Sequence, residues 1–400
     1  MFASPVGDAL SVPARRLRSD FSATRLGAKL AAHLDTHHYD RPTLVMDLDI
    51  VEDRYRALSS GLAPAHIHYA VKANPAPEVI SRLVALGSRF DAASRGEIEL
   101  CLSQGARPEH ISFGNTVKRP SDIAFAFQAG IDLFAVDAEE ELEKIALNAP
   151  GARVFVRFLV EDSEADWPLS RKFGIAEDGV LLLMERAVAL GLRPVGLSFH
   201  VGSQTREAAM WDGTLARVSA IWHAARDAGH EMTVLNIGGG FPAFYGDPVQ
   251  APRAYAESLR ARIQRHFGDV VYLMAEPGRG MVAEAGVISC EVLLVSRKRP
   301  TDIARWVYLD IGKFSGLAET MEEAIRYQFE TTADGGEMGP CVLAGPSCDS
   351  ADVLYEKRPV QLPLDLRAGD RVRILTCGAY TTSYSSVGFN GFPPLDYVCI

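Results

Sequence analysis

A lysine, a run of glycines, two strand-end acids and a thiol carry the chemistry that can be read from this chain. Lys72 stands in HYAVKANP, flanked by Tyr69, Ala70, Val71 and Ala73. An apolar setting disfavours the ammonium and makes lysine a usable amine nucleophile. The flanking residues favour an inward strand end over the solvated position usual for a lone lysine. NIGGGFP places Gly238, Gly239 and Gly240 after an apolar run, where residues without Cβ let backbone N–H groups close on an anion. EPGRG adds Glu276 and Arg279; a carboxylate can hold a pyridine-type nitrogen protonated, and a guanidinium can grip phosphate through two N–H groups. SFHVGSQ contributes His200 and Ser203, and GPSCDSADVL sets the Cys348 thiol, a group able to donate a proton, beside Asp349. Each motif alone has a plain structural explanation: glycines turn chains, strand-end histidines fill cores, and a buried thiol packs as a small hydrophobe.

What makes them a set is the order of elements between them. From about residue 42 to 280, short β-rich runs alternate with longer amphipathic stretches. The candidate strands are TLVMDLD, HIHYAVK, SRFDAAS, HISFGN, DLFAVD, VFVRF, GLSFHVG, TVLNIGGG and VVYLMAEPG, and helical patterns such as PEVISRLVAL and TLARVSAIWHAARDAG lie between them. Strand, helix, strand at this spacing predicts parallel strands with crossover helices, and about eight units fit an α/β fold of the (β/α)8 TIM-barrel type. Lys72, Asp91, Arg157, His200, Gly238 to Gly240 and Glu276 all fall where a candidate strand ends. In a parallel barrel those ends share one face, so residues distant in sequence converge on one pocket. After about residue 281 the texture changes to β-branched runs without long helices: GVISCEVLLVSRKR, RWVYLDIG, GPCVLAG and RVRILTCGAY. The expectation is a barrel over 40–280 and a second, mainly antiparallel β domain over 281–400, with 1–39 as an addition to it.

Composition narrows the function classes. The chain is 48% hydrophobic and 23% charged, the balance of a globular protein with a substantial core. A formal net charge of −10 repels phosphate backbones and argues against nucleic acid, while weakly favouring a cationic substrate. No run approaches the roughly 18 apolar residues of a membrane span, and the start MFASPVGDALSVPARR lacks the pattern of a secretory signal. Six scattered cysteines without a CxxC pair predict neither zinc nor a disulfide framework, and point to reduced thiols in the cytoplasm.

In this order, AVKAN, FDAASRGE, SFHVGSQ, IGGGFP, EPGR, GPSCDS and GAYTTSY…FNGF closely resemble the alanine-racemase-fold, pyridoxal 5'-phosphate-dependent ornithine/lysine/diaminopimelate decarboxylases, from about residue 42 to the C-terminus. The resemblance implies the alanine racemase-like barrel with its β domain, and a homodimer with active sites shared between subunits. It implies that Lys72 carries the cofactor covalently, that His200 lies over one face of its ring and that Glu276 pairs with the ring nitrogen. Ser203, Gly238, Gly239, Gly240, Arg279 and Tyr380 would hold the phosphate, and Asp91, Glu97 and Arg157 would shape the pocket around the lysine. Cys348 and Asp349 would come from the other subunit, the thiol as proton donor and the carboxylate as partner of a distal ammonium, with Phe389 lining the substrate pocket. For a second contact to that ammonium, YLDIGKFSGLAET offers Asp310 and Glu319.

The expected reaction is decarboxylation of L-ornithine to putrescine and CO2. A buried carboxylate at Asp349 favours a distal ammonium over the distal carboxylate of diaminopimelate, because an unpaired buried charge is costly for either partner. Lysine is longer by one methylene, worth only about 1–3 kcal/mol of discrimination, so a lysine or bifunctional enzyme is the alternative. A racemase would normally set arginine against the ring nitrogen, where this chain has Glu276. An inactive regulatory homologue would tend to lose the lysine or the phosphate ligands, all of which are present here.

Overall fold

The structure, a computed structural model, describes residues 26–160 and 172–400. Strands are numbered along the chain. β1 (Thr43–Met46) is followed by β2 (His66–Ala70), β3 (Arg89–Ala92), β4 (Ile111–Phe113), β5 (Leu133–Val136), β6 (Arg153–Arg157), β7 (Arg193–Ser198), β8 (Val234–Asn236) and β9 (Tyr272–Ala275). The strands β2 to β9 close in sequence order into a parallel barrel. Their inward residues Leu133, Ala135, Phe155, Val195, Val234 and Met274 fill the barrel, and a larger core lies between the strands and the surrounding helices. The helices are amphipathic as the sequence suggests. In Leu48–Leu62, the residues Val51, Leu58 and Leu62 are buried, and Arg56 pairs with Glu52 one turn back.

The remaining strands are β10 (Gly286–Ser296), β11 (Arg305–Leu309), β12 (Phe329–Thr331), β13 (Met338–Ala344), β14 (Val353–Leu354), β15 (Val360–Pro363), β16 (Arg371–Ile374) and β17 (Asp396–Cys399). Together with β1 they form a nine-stranded sheet whose main path runs β12-β16-β10-β11-β13-β14. Every pairing in it is antiparallel except β11 with β13 and β1 with β17. The mainly antiparallel second sheet is therefore as the sequence predicts.

One candidate strand stands elsewhere than expected. TLVMDLD supplies no barrel strand: Thr43–Met46 pairs with β10 and β17, and Leu48 already begins a helix capped by the Asp47 carboxylate, which accepts the N–H of Asp49 at 3.0 Å. All four residues of β1 are buried, and such a short apolar run carries no mark of which sheet will bury it. The helix Ala28–Thr36 packs Leu30 and Leu34 against Val45, Val287 and Leu375, so this part of the N-terminal stretch lies on the second sheet. Residues 1–25, assigned to that domain in the same expectation, lie outside the described residues.

Barrel and sheet are stitched together beside β2. Asn74 donates to the Gly378 carbonyl at 2.8 Å, the Tyr380 N–H donates to Ala73 at 2.8 Å, and Gly378 N–H donates to Ala283 at 2.9 Å. The segment GAY of the second domain is thus fixed against the turn that carries Lys72.

Candidate active site

The strand β2 ends in a single 3-10 turn, Val71–Ala73, which places Lys72 at the C-terminal mouth of the barrel. Its Nζ lies 3.6 Å from Oδ2 of Asp91, near the end of the neighbouring β3. Burial disfavours the Lys72 ammonium, but the charges of Asp91, Tyr380 and Glu276 outweigh it and hold the group above its ordinary value. Burial also pushes the Asp91 carboxyl up, against the pull of Lys72 and Arg157. Asp91 reaches this position because residue 114 has no side chain: a Cβ on Gly114 would stand 1.8 Å from Oδ1. That Oδ1 is buried and has no hydrogen-bond partner among the described residues.

Glu276 follows β9 and accepts a short hydrogen bond from Asn236 Nδ2 at the end of β8. Burial, reinforced by the charge of Asp91, pushes its carboxyl up to about 7. Arg157 closes β6, with its guanidinium 5.0 Å from the Phe173 ring centre, and burial lowers its value against the pull of Glu276, Asp137 and Asp91. His200 is held down at about 3 by burial and by the charges of Arg157 and Lys72, so its imidazole is neutral. Its Nδ1 accepts the Gly202 N–H at 2.9 Å, which leaves the proton on Nε2. That nitrogen faces Gly239, where a Cβ would lie 3.0 Å away.

The expected phosphate ligands form one continuous wall. Arg279 Nε donates to Ser203 Oγ at 3.1 Å, and the guanidinium lies 5.0 Å from the Tyr380 ring centre. Gly238 and Gly240 have φ of 68° and 106°, and Tyr380 takes the same left-handed region at 55°, a strained choice for a bulky residue of the kind that functional sites retain. The N–H groups of Gly239 and Gly240 have no partner among the described residues, and the buried hydroxyl of Thr205 beside Gly240 has none either. Free amides, an unused hydroxyl and arginine are the donor set that a phosphate ester requires. With a lysine amine and a buried carboxylate at the other end of the pocket, the residues fit a phosphorylated pyridine aldehyde.

The state of Arg279 leaves no mark in the sequence. Glu319 grips it in both directions, Nη1 to Oε2 at 2.7 Å and Nη2 to Oε1 at 2.6 Å, with both side chains almost fully buried. Tyr245 accepts a further bond from Nη1 at 3.0 Å. Glu319 is therefore committed to arginine and is not a free carboxylate for an ammonium. Asp310 is engaged within the second sheet, where its Oδ1 accepts the Glu291 N–H at 2.8 Å, and burial raises it to about 6. Glu97 closes the N-terminus of its own helix by accepting the Ala93 N–H at 2.7 Å, while its N–H donates to Ser94 Oγ, as in a capping box.

Cys348 and Asp349 follow β13, both exposed, and among the described residues neither touches Lys72, Asp91 or Glu276. Asn390 Oδ1 accepts the Cys348 N–H at 3.1 Å, and neighbouring Phe389 packs on Phe314 with ring centres 4.7 Å apart. This second cluster is organised by Asp352, which no motif singled out. Its buried carboxylate accepts Lys313 N–H at 2.8 Å and Ser347 Oγ at 2.7 Å, and leaves no room for a Cβ at Gly312 or Gly345.

Barrel, second sheet and lysine–carboxylate–phosphate wall define a pyridoxal-phosphate-dependent enzyme of the alanine-racemase fold. Residues 48–283 match the family model described as "Pyridoxal-dependent decarboxylase, pyridoxal binding domain", and the chain belongs to that family. It is 34% identical over 352 residues to the lysine/ornithine decarboxylase of Selenomonas ruminantium, covering 88% of this chain and 87% of that one. Among solved structures it is similar to SrLDC in complex with PLP and cadaverine, at a TM-score of 0.83 and 33% identity over 94% of each chain. It is likewise similar to the arginine decarboxylase of Paramecium bursaria Chlorella virus, at a TM-score of 0.83 and 28% identity over 94% of this chain and all of that one. The protein is thus a pyridoxal-phosphate-dependent decarboxylase of basic amino acids. Among the described residues no helix is long and apolar enough to cross a membrane.

Proposed function

We propose that the chain decarboxylates L-ornithine to putrescine and CO2, with L-lysine as a second substrate. The observation that carries this reading is the acid–thiol pair Asp349 and Cys348, exposed on a loop pinned from beneath by Asp352. Its exposure supports a homodimer in which Cys348 and Asp349 of the partner subunit complete the pocket around Lys72. Bound pyridoxal phosphate supplies the electron-accepting ring that makes loss of CO2 from Cα feasible. Lys72 anchors the cofactor through its amine. Glu276 would hold a proton at the ring nitrogen, neutral His200 would lie against the ring, and the 238–240 amides with Ser203, Arg279 and Tyr380 would hold the phosphate. Cys348 returns a proton to Cα, and Asp349 selects substrates by pairing with the distal ammonium. The six cysteines are all unpaired, which supports a reducing, cytoplasmic setting.

The test is CO2 release and amine identification with L-ornithine, L-lysine, L-arginine and meso-diaminopimelate. Putrescine as main product supports the reading, and comparable cadaverine makes the enzyme bifunctional. Agmatine or lysine as main product would mean that Asp349 does not select as proposed. No CO2 from any substrate, with the cofactor bound, would overturn it in favour of a regulatory homologue.

A further inference from the structure

The opposite mouth of the barrel holds a different concentration of charge. Arg89 is the first residue of β3, Arg153 the first of β6 and Tyr272 the first of β9, so the topology gathers them at the N-terminal rim. Between them is a cavity of about 250 Å3, also lined by His68, Arg107 and His110. In a chain of net charge −10 this is a local excess of cations. One acid, Glu109, also lines it and lies 3.3 Å from Arg107, and Asp132 holds Arg153 through two bonds of 2.9 and 2.6 Å, so both acids are engaged.

Arg89 has no such partner. Its guanidinium lies 5.2 Å from the Tyr272 ring centre and donates no hydrogen bond to any described residue. Tyr272 is itself locked in place, stacked on His66 at 4.4 Å between ring centres and bonded through its hydroxyl to buried His68 at 3.1 Å. A rigid aromatic shelf thus holds a planar fork of N–H donors over a polar cavity. That arrangement suits an anion with several acceptor oxygens better than a halide.

We propose that this rim pocket binds a small phosphate-bearing anion, either inorganic phosphate or a compact phosphate monoester, with Arg89 as its principal ligand. The site is separate from the cofactor's phosphate wall, because the first and last residues of the same strands lie at opposite ends of the barrel. Occupancy would join β3, β6 and β9 at their starts and stabilise the barrel by mass action without competing for substrate.

The test titrates inorganic phosphate, and separately glycerol phosphate, into the cofactor-saturated protein in phosphate-free buffer by calorimetry, so that the Lys72 pocket is already filled. One saturable site per chain is expected. R89Q should weaken it at least tenfold and leave cofactor content and turnover unchanged. D132N, which frees Arg153, should tighten it, an effect that misfolding does not mimic. Binding of both probes, or of inorganic phosphate alone, supports the site and separates its two sources. No binding to the wild-type protein, or the same isotherm in R89Q, overturns the proposal.

Discussion

At the residue scale the pocket is a set of buried charges adjusted against one another. Glu276 titrates at about 7 in the fold against 4.5 ordinarily, so the folded cofactor-free protein holds its proton more tightly than the unfolded chain does. Its contribution to stability is full below the ordinary value and is lost as pH rises towards about 7. In protein stripped of cofactor, Tm should therefore fall through this window, and the fall should be smaller in E276Q. In the cofactor-bound enzyme E276Q should lower kcat on the order of 10²-fold, because the charge facing the ring nitrogen is gone. The Arg279–Glu319 pair is a different case. Each charge is tolerable only with the other, and E319A should destabilise the protein by about 3–5 kcal/mol in denaturant unfolding.

Among the elements, what matters is which loop holds which group. The Asp352 carboxylate ties the segment after β11 to the loop that carries Cys348. D352A leaves the Lys313 N–H without its acceptor, at a cost of about 1–3 kcal/mol. It should reduce kcat by up to about 10²-fold while cofactor content, read from absorbance, stays constant. The eight strands of the barrel were legible in sequence because each ends in a recognisable polar or glycine motif and all but the last are followed by a helical period. The convergence of Lys72, Asp91, His200 and Glu276 was legible for the same reason, since parallel topology alone brings strand ends together. β1 was not, because its partners β10 and β17 lie hundreds of positions away and TLVM reads the same in either sheet. Nor were Asp352, Gly114 and the bond of Glu319 to Arg279. Their meaning rests on a side chain from another segment filling the space beside them, which no local pattern encodes.

At the scale of the whole molecule, the proposed site draws on two places in one chain: the lysine wall on the barrel, and the thiol and acid on an exposed loop. If two chains complete each other, K72A and C348A proteins should each be nearly inactive, and mixing them should restore part of the activity. Failure of mixed, demonstrably exchanged subunits to regain activity would count against the shared pocket. The pairing of β1 with β17 has a consequence of its own. β1 runs parallel to β17, Thr43 opposite Asp396 and Met46 opposite Cys399, so the first and the last of the described strands lie side by side. On the ribosome, β1 emerges hundreds of residues before β17, and an apolar strand with open N–H and C=O edges must wait through the whole synthesis of the barrel. Messages cut before the codon of Asp396 should therefore yield chains whose barrel is complete but whose β1 stays half-paired, a target for chaperones and proteases; such pulse-labelled truncations should turn over faster than the chain that includes β17.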